Sequence, residues 1–187
     1  MKPQPSKKIE LVTAGQSPAG IEFASNYADY NFVMGLGINT PTAHADGVKK
    51  LDDAAAQTGR DVGSYVLFMV IADDTDEAAF AKWEHYKAGI DVEAIAWMTG
   101  QALEDKTADS TSTAKTISLP EGAVNMNMGT LIGSYESVAR MLDEAAAVEG
   151  TKGIMLTFDD FIEGTENFGQ KIQPLMASRA HVGMAAA

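Results

Sequence analysis

The chain has 187 residues, with 26 acidic and 14 basic side chains and a formal charge of −12. That length buries one sizeable core, as one domain or two small ones. The negative surface repels nucleic acid and anionic lipid, so an anionic ligand needs a local site of backbone N–H groups or a few bases. Apolar residues make up 45% and cysteine is absent, which removes disulfide frameworks and thiolate metal sites and fits a reducing compartment. The longest apolar run, Tyr65 to Ala72, is far too short to span a membrane. The basic start, "MKPQPSKK", is not followed by a hydrophobic stretch of signal length. The expectation is a cytoplasmic protein.

Short apolar runs rich in β-branched residues alternate with longer amphipathic stretches, the pattern of buried strands and helices. "IELVTAG" predicts a first strand, and a helix follows from Ser17 to Tyr27 with Pro18 in its first turn, where a missing N–H costs nothing. "YNFVMG" is a second strand. The loop "LGINTPTAHADG" leads to a helix reaching Gln57 and stopped by Gly59. "SYVLFMVIA" is the clearest strand. The next helix, in "DDTDEAAFAKWEHYKAG", opens with Asp74 and Glu77 at capping-box spacing, and "DVEAIAWMTGQALE" is another helix. Residues 104–122, rich in Ser and Thr, read as a mobile loop or lid. A helix capped by Ser134 carries Val138, Met141 and Leu142 on one face. "KGIMLTF" is the fourth strand, and "DDFIEGTENFGQKIQPLMASR" its loop and final helix.

Strands alternating with helices imply right-handed crossovers and a parallel sheet. Each strand reads as buried on both faces. A doubly wound open sheet and a piece of a (β/α)8 barrel both fit. Four strands in barrel curvature would leave two apolar, unpaired edges, so a barrel reading makes this chain half of an assembly.

Ser17 stands where a strand ends and a helix begins. It is a helix cap, or it joins the first-turn N–H groups as an anion site suited to phosphate, with Gly15 letting a ligand approach the backbone. His44 lies in a loop on the expected ligand side, as a solvated histidine or a proton shuttle; His85 is a helix-surface or packing residue and His181 lies near the tail. The three histidines are not spaced as metal ligands. The amides of Ile38 to Pro41 and Asn125 to Gly129 form turns or read a donor–acceptor edge. Asp159 and Asp160 follow the fourth strand, and capping of the last helix is favoured over catalysis. The ten methionines read as core filler. "GLG" after the second strand lacks the third glycine of a dinucleotide fingerprint.

The segments "VTAGQSPAGIEFASNYADYNFVMGLGINTP", "GRDVGSYVLFMVIADDTDEAAFAKWEHYKAG", "NMGTLIGSYESVARMLDEAAAV" and "GIMLTFDDFIEGTENFGQKIQPLMASR" resemble the bacterial luciferase-like, FMN-dependent monooxygenases, closest to their pyrimidine-oxidising type. The resemblance runs from Lys2 to His181. It implies an α/β fold in which this chain supplies the carboxyl-terminal half, about four βα units, of a (β/α)8 TIM barrel, with parallel strands, outer helices and a long insertion before the last unit. Residues 1–187 would then be one luciferase-like domain. It also implies a two-component oxidoreductase of pyrimidine catabolism. A separate flavin reductase supplies reduced FMN, O2 is co-substrate, and the flavin peroxide opens uracil or thymine between N3 and C4 to a ureidoacrylate product. The family's phosphate serine in its "AGQS" motif falls on Ser17, with Gln16 and Gly15 as backbone neighbours. Other FMN contacts, the catalytic residues and most of the pyrimidine pocket belong to the family's amino-terminal half, so activity is expected of the whole enzyme, a homo-oligomer, and not of this part alone. Two further readings stay open: a luciferase-like monooxygenase for an alkanesulfonate or aminopolycarboxylate, and a non-catalytic half-barrel that acts by association.

Overall fold

The computed structural model of the protein describes residues 5–104 and 128–181. Among the described residues, five strands form one parallel sheet: β1 (Val12–Thr13), β2 (Tyr30–Met34), β3 (Gly63–Asp73), β4 (Thr130–Ser134) and β5 (Thr151–Phe158). The helices among the described residues are α1 (Pro18–Tyr27), α2 (Ala45–Thr58), α3 (Asp76–Ala88), α4 (Val92–Leu103), α5 (Tyr135–Ala146) and α6 (Phe161–Asn167). A π-turn and two short 3₁₀ turns extend α6 to Arg179.

The four strands expected from the sequence are neighbours in chain order, β1 beside β2, β2 beside β3, β3 beside β5, all parallel. β4 is an addition that the sequence reading lacked. Successive residues of a strand offer their backbone groups to opposite edges, and β3 shows how β4 fits. The Gly63 N–H donates to Asp29, and the Leu67 carbonyl accepts from Gly35, on the β2 edge. The Met69 N–H donates to Gly129 on that same edge at 2.8 Å, whereas the Ser64 N–H donates to Gly150 on the other. β4 therefore takes over the β2 edge of β3 where β2 leaves it. The backbones meet so closely that a Cβ on Gly129 would lie 2.3 Å from the Gly35 carbonyl carbon. Five residues with no alternation, "TLIGS", gave too short a period to be read as a strand.

The register aligns Val33 with Val66, Val66 with Ile154 and Phe68 with Leu156, so these side chains share one face. Helices close that face over β3 and β4, while Ile154 and Leu156 of β5 stay half-buried. Val66, Phe68, Val70, Leu131, Val138, Met141 and Leu142 form the main core beneath α5. Ala24, Ala28, Leu51, Ala55 and Val62 form a second cluster between α1 and α2. Each fully buried Phe or Leu contributes roughly 1.5–3 kcal/mol.

The described residues do not close the opposite face, which corrects the expectation that every strand is buried on both faces. α3 covers only its carboxyl end, where Ile71 and Ile132 pack on Ala79 and Trp83. Below that, Phe32, Met34, Tyr65 and Leu67 are half-buried, Met155 is 45% exposed, and Tyr30 stacks on Tyr65 with ring centroids 4.4 Å apart. Among the described residues no strand pairs the outer edge of β1, which is two residues long, and Ile9, Leu11 and Val12 are all more than half exposed.

Caps follow local chemistry. Ser134 caps α5, accepting the Ser137 N–H at 3.2 Å, as expected. α3 is capped by Thr75 through the Ala78 N–H, not by Asp74; the Asp74 N–H turns back to the Asp73 carboxylate instead. Gly59 stops α2 at φ 68°, a left-handed conformation that favours glycine. The loop or lid expected at 104–122 lies, beyond Glu104, outside the described residues. Among the described residues, no helix is long and apolar enough to cross a membrane.

Candidate anion site at the first strand–helix turn

Ser17 is the extended N-cap of α1, with φ −67° and ψ 160°. Its hydroxyl accepts the Gly20 N–H at 3.2 Å and its carbonyl accepts the Ile21 N–H at 2.9 Å. Pro18 has no N–H. Two donors of the first turn are thus consumed internally and one is absent. The N–H groups of Gln16 and Ala19 take no partner among the described residues. With the hydrogen of the Ser17 hydroxyl, they are candidate donors to a ligand. A helix N-terminus of ten residues adds its partial positive charge. This turn follows β1 as Asp73 ends β3 and Asp159 follows β5, so all three stand at the carboxyl end of the sheet, where parallel α/β folds place ligands.

Gly15 has a structural reason of its own. A Cβ there would sit 2.6 Å from the Gly20 Cα, and the converse is equally tight, so the strand end and the helix meet backbone to backbone. The sequence reading missed Asn31. It is 1% exposed, donates to the Gly15 carbonyl at 3.1 Å and accepts from the Thr13 hydroxyl at 2.8 Å. Its signal was an amide at an alternating position of an apolar strand, where a buried polar group must be hydrogen-bonded.

The other candidates divide. His44 is not a solvated loop residue: it is 1% exposed, its Nε2 lies 3.2 Å from the Thr151 hydroxyl, and its ring stands edge-on to Phe68 on the helix-covered face. Burial pushes its pKa below the ordinary histidine value. It lies on the face opposite the open one. Asn39 does read a donor–acceptor edge, but a protein one. Its Nδ2 donates to the Ile132 carbonyl at 2.9 Å and its Oδ1 accepts the Ile132 N–H at 2.7 Å, which ties the loop after β2 to β4. Asn125 and Asn127 lie outside the described residues. Asp160 caps α6, accepting from the Ile162 and Glu163 N–H groups, as favoured from the sequence. Asp159 instead accepts the Tyr86 hydroxyl at 2.7 Å. Burial, reinforced by that bond, pushes the Tyr86 phenol up to about 12. Lys82 pairs with Asp73 at 2.9 Å; burial opposes its charge, yet the pair holds its pKa above the usual lysine value. His85 is exposed on α3 and His181 is exposed near the tail.

No protein-family model matches the chain. Among curated proteins, the pyrimidine monooxygenase RutA of Bradyrhizobium sp. (strain BTAi1) is 66% identical over 180 residues, which are 96% of this chain and 50% of that protein. The pyrimidine monooxygenase RutA of Escherichia coli O81 is 59% identical over 182 residues, 97% of this chain and 48% of its own length. Its close homologues are pyrimidine monooxygenases. The resemblance carried by the four sequence segments is thereby borne out, and the chain spans about half the length of the curated relatives it matches. Among solved structures, DmoA from Hyphomicrobium sulfonivorans superposes with a TM-score of 0.71 at 21% identity, covering 96% of this chain and 44% of DmoA. A riboflavin lyase, RcaE, solved with modified FMN and riboflavin, gives 0.67 at 22% identity, covering 94% and 44%. At these identities the likeness shows a shared parallel α/β fold.

Proposed function

We propose that this chain is one half of a flavin-dependent pyrimidine monooxygenase barrel and supplies the turn that holds the FMN phosphate. The observation that carries the reading is the coincidence of two facts. The homology to pyrimidine monooxygenases runs through nearly the whole chain, and its first turn keeps uncommitted donors at a helix N-terminus on the ligand end of the sheet. The four strands in sequential order, β1-β2-β3-β5, with one face covered by helices and the other open, support the half-barrel.

In this reading Ser17, Gln16 and Ala19 take the phosphate oxygens, so the dinegative group is neutralised by oriented dipoles rather than by the side chains of an acidic protein. When bound, the reduced flavin supplies the oxidising chemistry with O2, and the protein orients it and excludes water. Asn31 and the Gly15–Gly20 contact fix the turn. α3 and the open face of β2, β3 and β5 wall the carboxyl end of the barrel. The substrate is uracil or thymine, opened between N3 and C4, and a separate reductase provides reduced FMN. The second half of the barrel brings the catalytic groups.

The test is reconstitution. The chain is joined behind the amino-terminal half of the Bradyrhizobium relative and supplied with uracil, reduced FMN and O2. The expected result is a ring-opened ureidoacrylate product by mass spectrometry, with FMN affinity about tenfold weaker in Ser17→Ala. Unchanged FMN affinity in Ser17→Ala would remove the phosphate assignment, and the absence of product would remove the pyrimidine assignment.

A further inference from the structure

A buried amide in the middle of an apolar strand calls for a reason. The Asn31 side chain has two partners among the described residues, and both lie on the segment that leads into the Ser17 turn: the Thr13 hydroxyl donates to its Oδ1 at 2.8 Å, and its Nδ2 donates to the Gly15 carbonyl at 3.1 Å. β1 holds only Val12 and Thr13 in the ladder, so backbone pairing ends before the turn starts. What holds Gly15 after that point is the Asn31 amide and the close contact with Gly20.

The bond to Gly15 has a directional consequence. In a trans peptide the C=O of one residue and the N–H of the next point in opposite directions. The Gly15 carbonyl is drawn toward buried Asn31, so the Gln16 N–H must point away from the sheet interior, and it takes no partner among the described residues. We propose that Asn31 is a positioning residue for phosphate recognition: by holding the Gly15 carbonyl it aims the Gln16 N–H outward, beside the Ser17 hydroxyl, as a donor to the cofactor phosphate. The inference rests on the reading of Ser17 as the phosphate turn.

The effect belongs to the phosphate and not to the flavin ring, so comparison of FMN with riboflavin isolates it. On the completed barrel described above, affinities for both ligands are measured for wild type, Ser17→Ala, Asn31→Asp and Thr13→Val, with thermal melts as a check on folding. Asn31→Asp keeps an acceptor for Thr13 but sets a carboxylate against the Gly15 carbonyl. It should lower the preference for FMN over riboflavin roughly tenfold, while riboflavin affinity stays unchanged. Its preference, relative to wild type at each pH, should recover as pH falls, because a protonated carboxyl group can donate to Gly15 again. Thr13→Val should lower the preference less, since it leaves the Gly15 bond in place.

Equal losses for FMN and riboflavin in Asn31→Asp would make Asn31 a purely structural residue and overturn the inference. So would an unchanged preference in Asn31→Asp alongside a reduced one in Ser17→Ala, and in that case the phosphate reading itself would stand. A wild type that does not prefer FMN, or a Ser17→Ala variant with full preference, would overturn the phosphate reading and this inference with it.

Discussion

The two faces of the sheet are finished to different degrees. On the helix-covered face, Val66, Phe68 and Val70 are sealed under α5, and even the polar His44 is fully enclosed. On the other, aromatic and sulfur side chains of the same strands are only half covered, and no described strand pairs the outer edge of β1 or of β5. Residues one position apart on β3 therefore live in different solvents. The difference teaches that the alternation of a strand reports the faces of the complete sheet, whereas burial in one chain reports only the cover that this chain brings. Apolar edges of this sort are an aggregation hazard unless another segment covers them.

Substitutions on the two faces should separate sharply. Phe68→Ala, on the closed face, should cost about 3–5 kcal/mol in urea unfolding. Tyr65→Ala, one face over, should cost less than about 1 kcal/mol in the chain alone, and several times more once the barrel is completed. Equal costs in the isolated chain would break the comparison. Asn39→Ala strips both partners from Ile132 and should destabilise by about 1–3 kcal/mol, with faster hydrogen exchange at the Ile132 amide as its local signature. Ser17→Ala should cost about 1 kcal/mol through the lost cap alone, which sets the baseline against which its effect on FMN is read.

The smallest effect is a pH dependence on the closed face. Burial lowers the pKa of His44 below its ordinary 6.5. Between the folded and unfolded values the unfolded chain binds more protons, so acid favours unfolding. The His44 contribution is whole above about pH 6.5, is lost as pH falls below it, and levels off beneath the folded value. Melting wild type and His44→Asn from pH 7.5 to pH 5 should show the acid loss diminished in the variant. An identical pH profile would mean that the imidazole is solvated after all.

Much of this was legible in the sequence, for reasons that differ by element. β3 and α5 announced themselves through long apolar runs and clean periodicity. Ser17, Ser134 and Asp160 were legible as caps because helix termini demand side-chain acceptors. β4 was not, because "TLIGS" is five residues with every position but the last buried, wedged between β3 and the end of β2, and its pairing is purely tertiary. Thr75 replaced Asp74 as the cap of α3 for a similar reason: acids stand at several positions of that turn, and spacing alone could not choose. His44 was misplaced because a loop position says nothing about which face a side chain enters. The role of Asn31 depends on Gly15 and Thr13, sixteen and eighteen residues away in the chain, and no local pattern encodes that contact.

On the proposed reading, a complementary half covers the open face and edges, and FMN binds only once it is in place. Sedimentation of this chain with and without the amino-terminal half of the Bradyrhizobium relative, followed by FMN fluorescence titration, tests it directly. The account predicts a one-to-one complex that binds FMN where neither half alone does. A well-behaved monomer that ignores the added half, or FMN binding of equal strength by the chain alone, would contradict it.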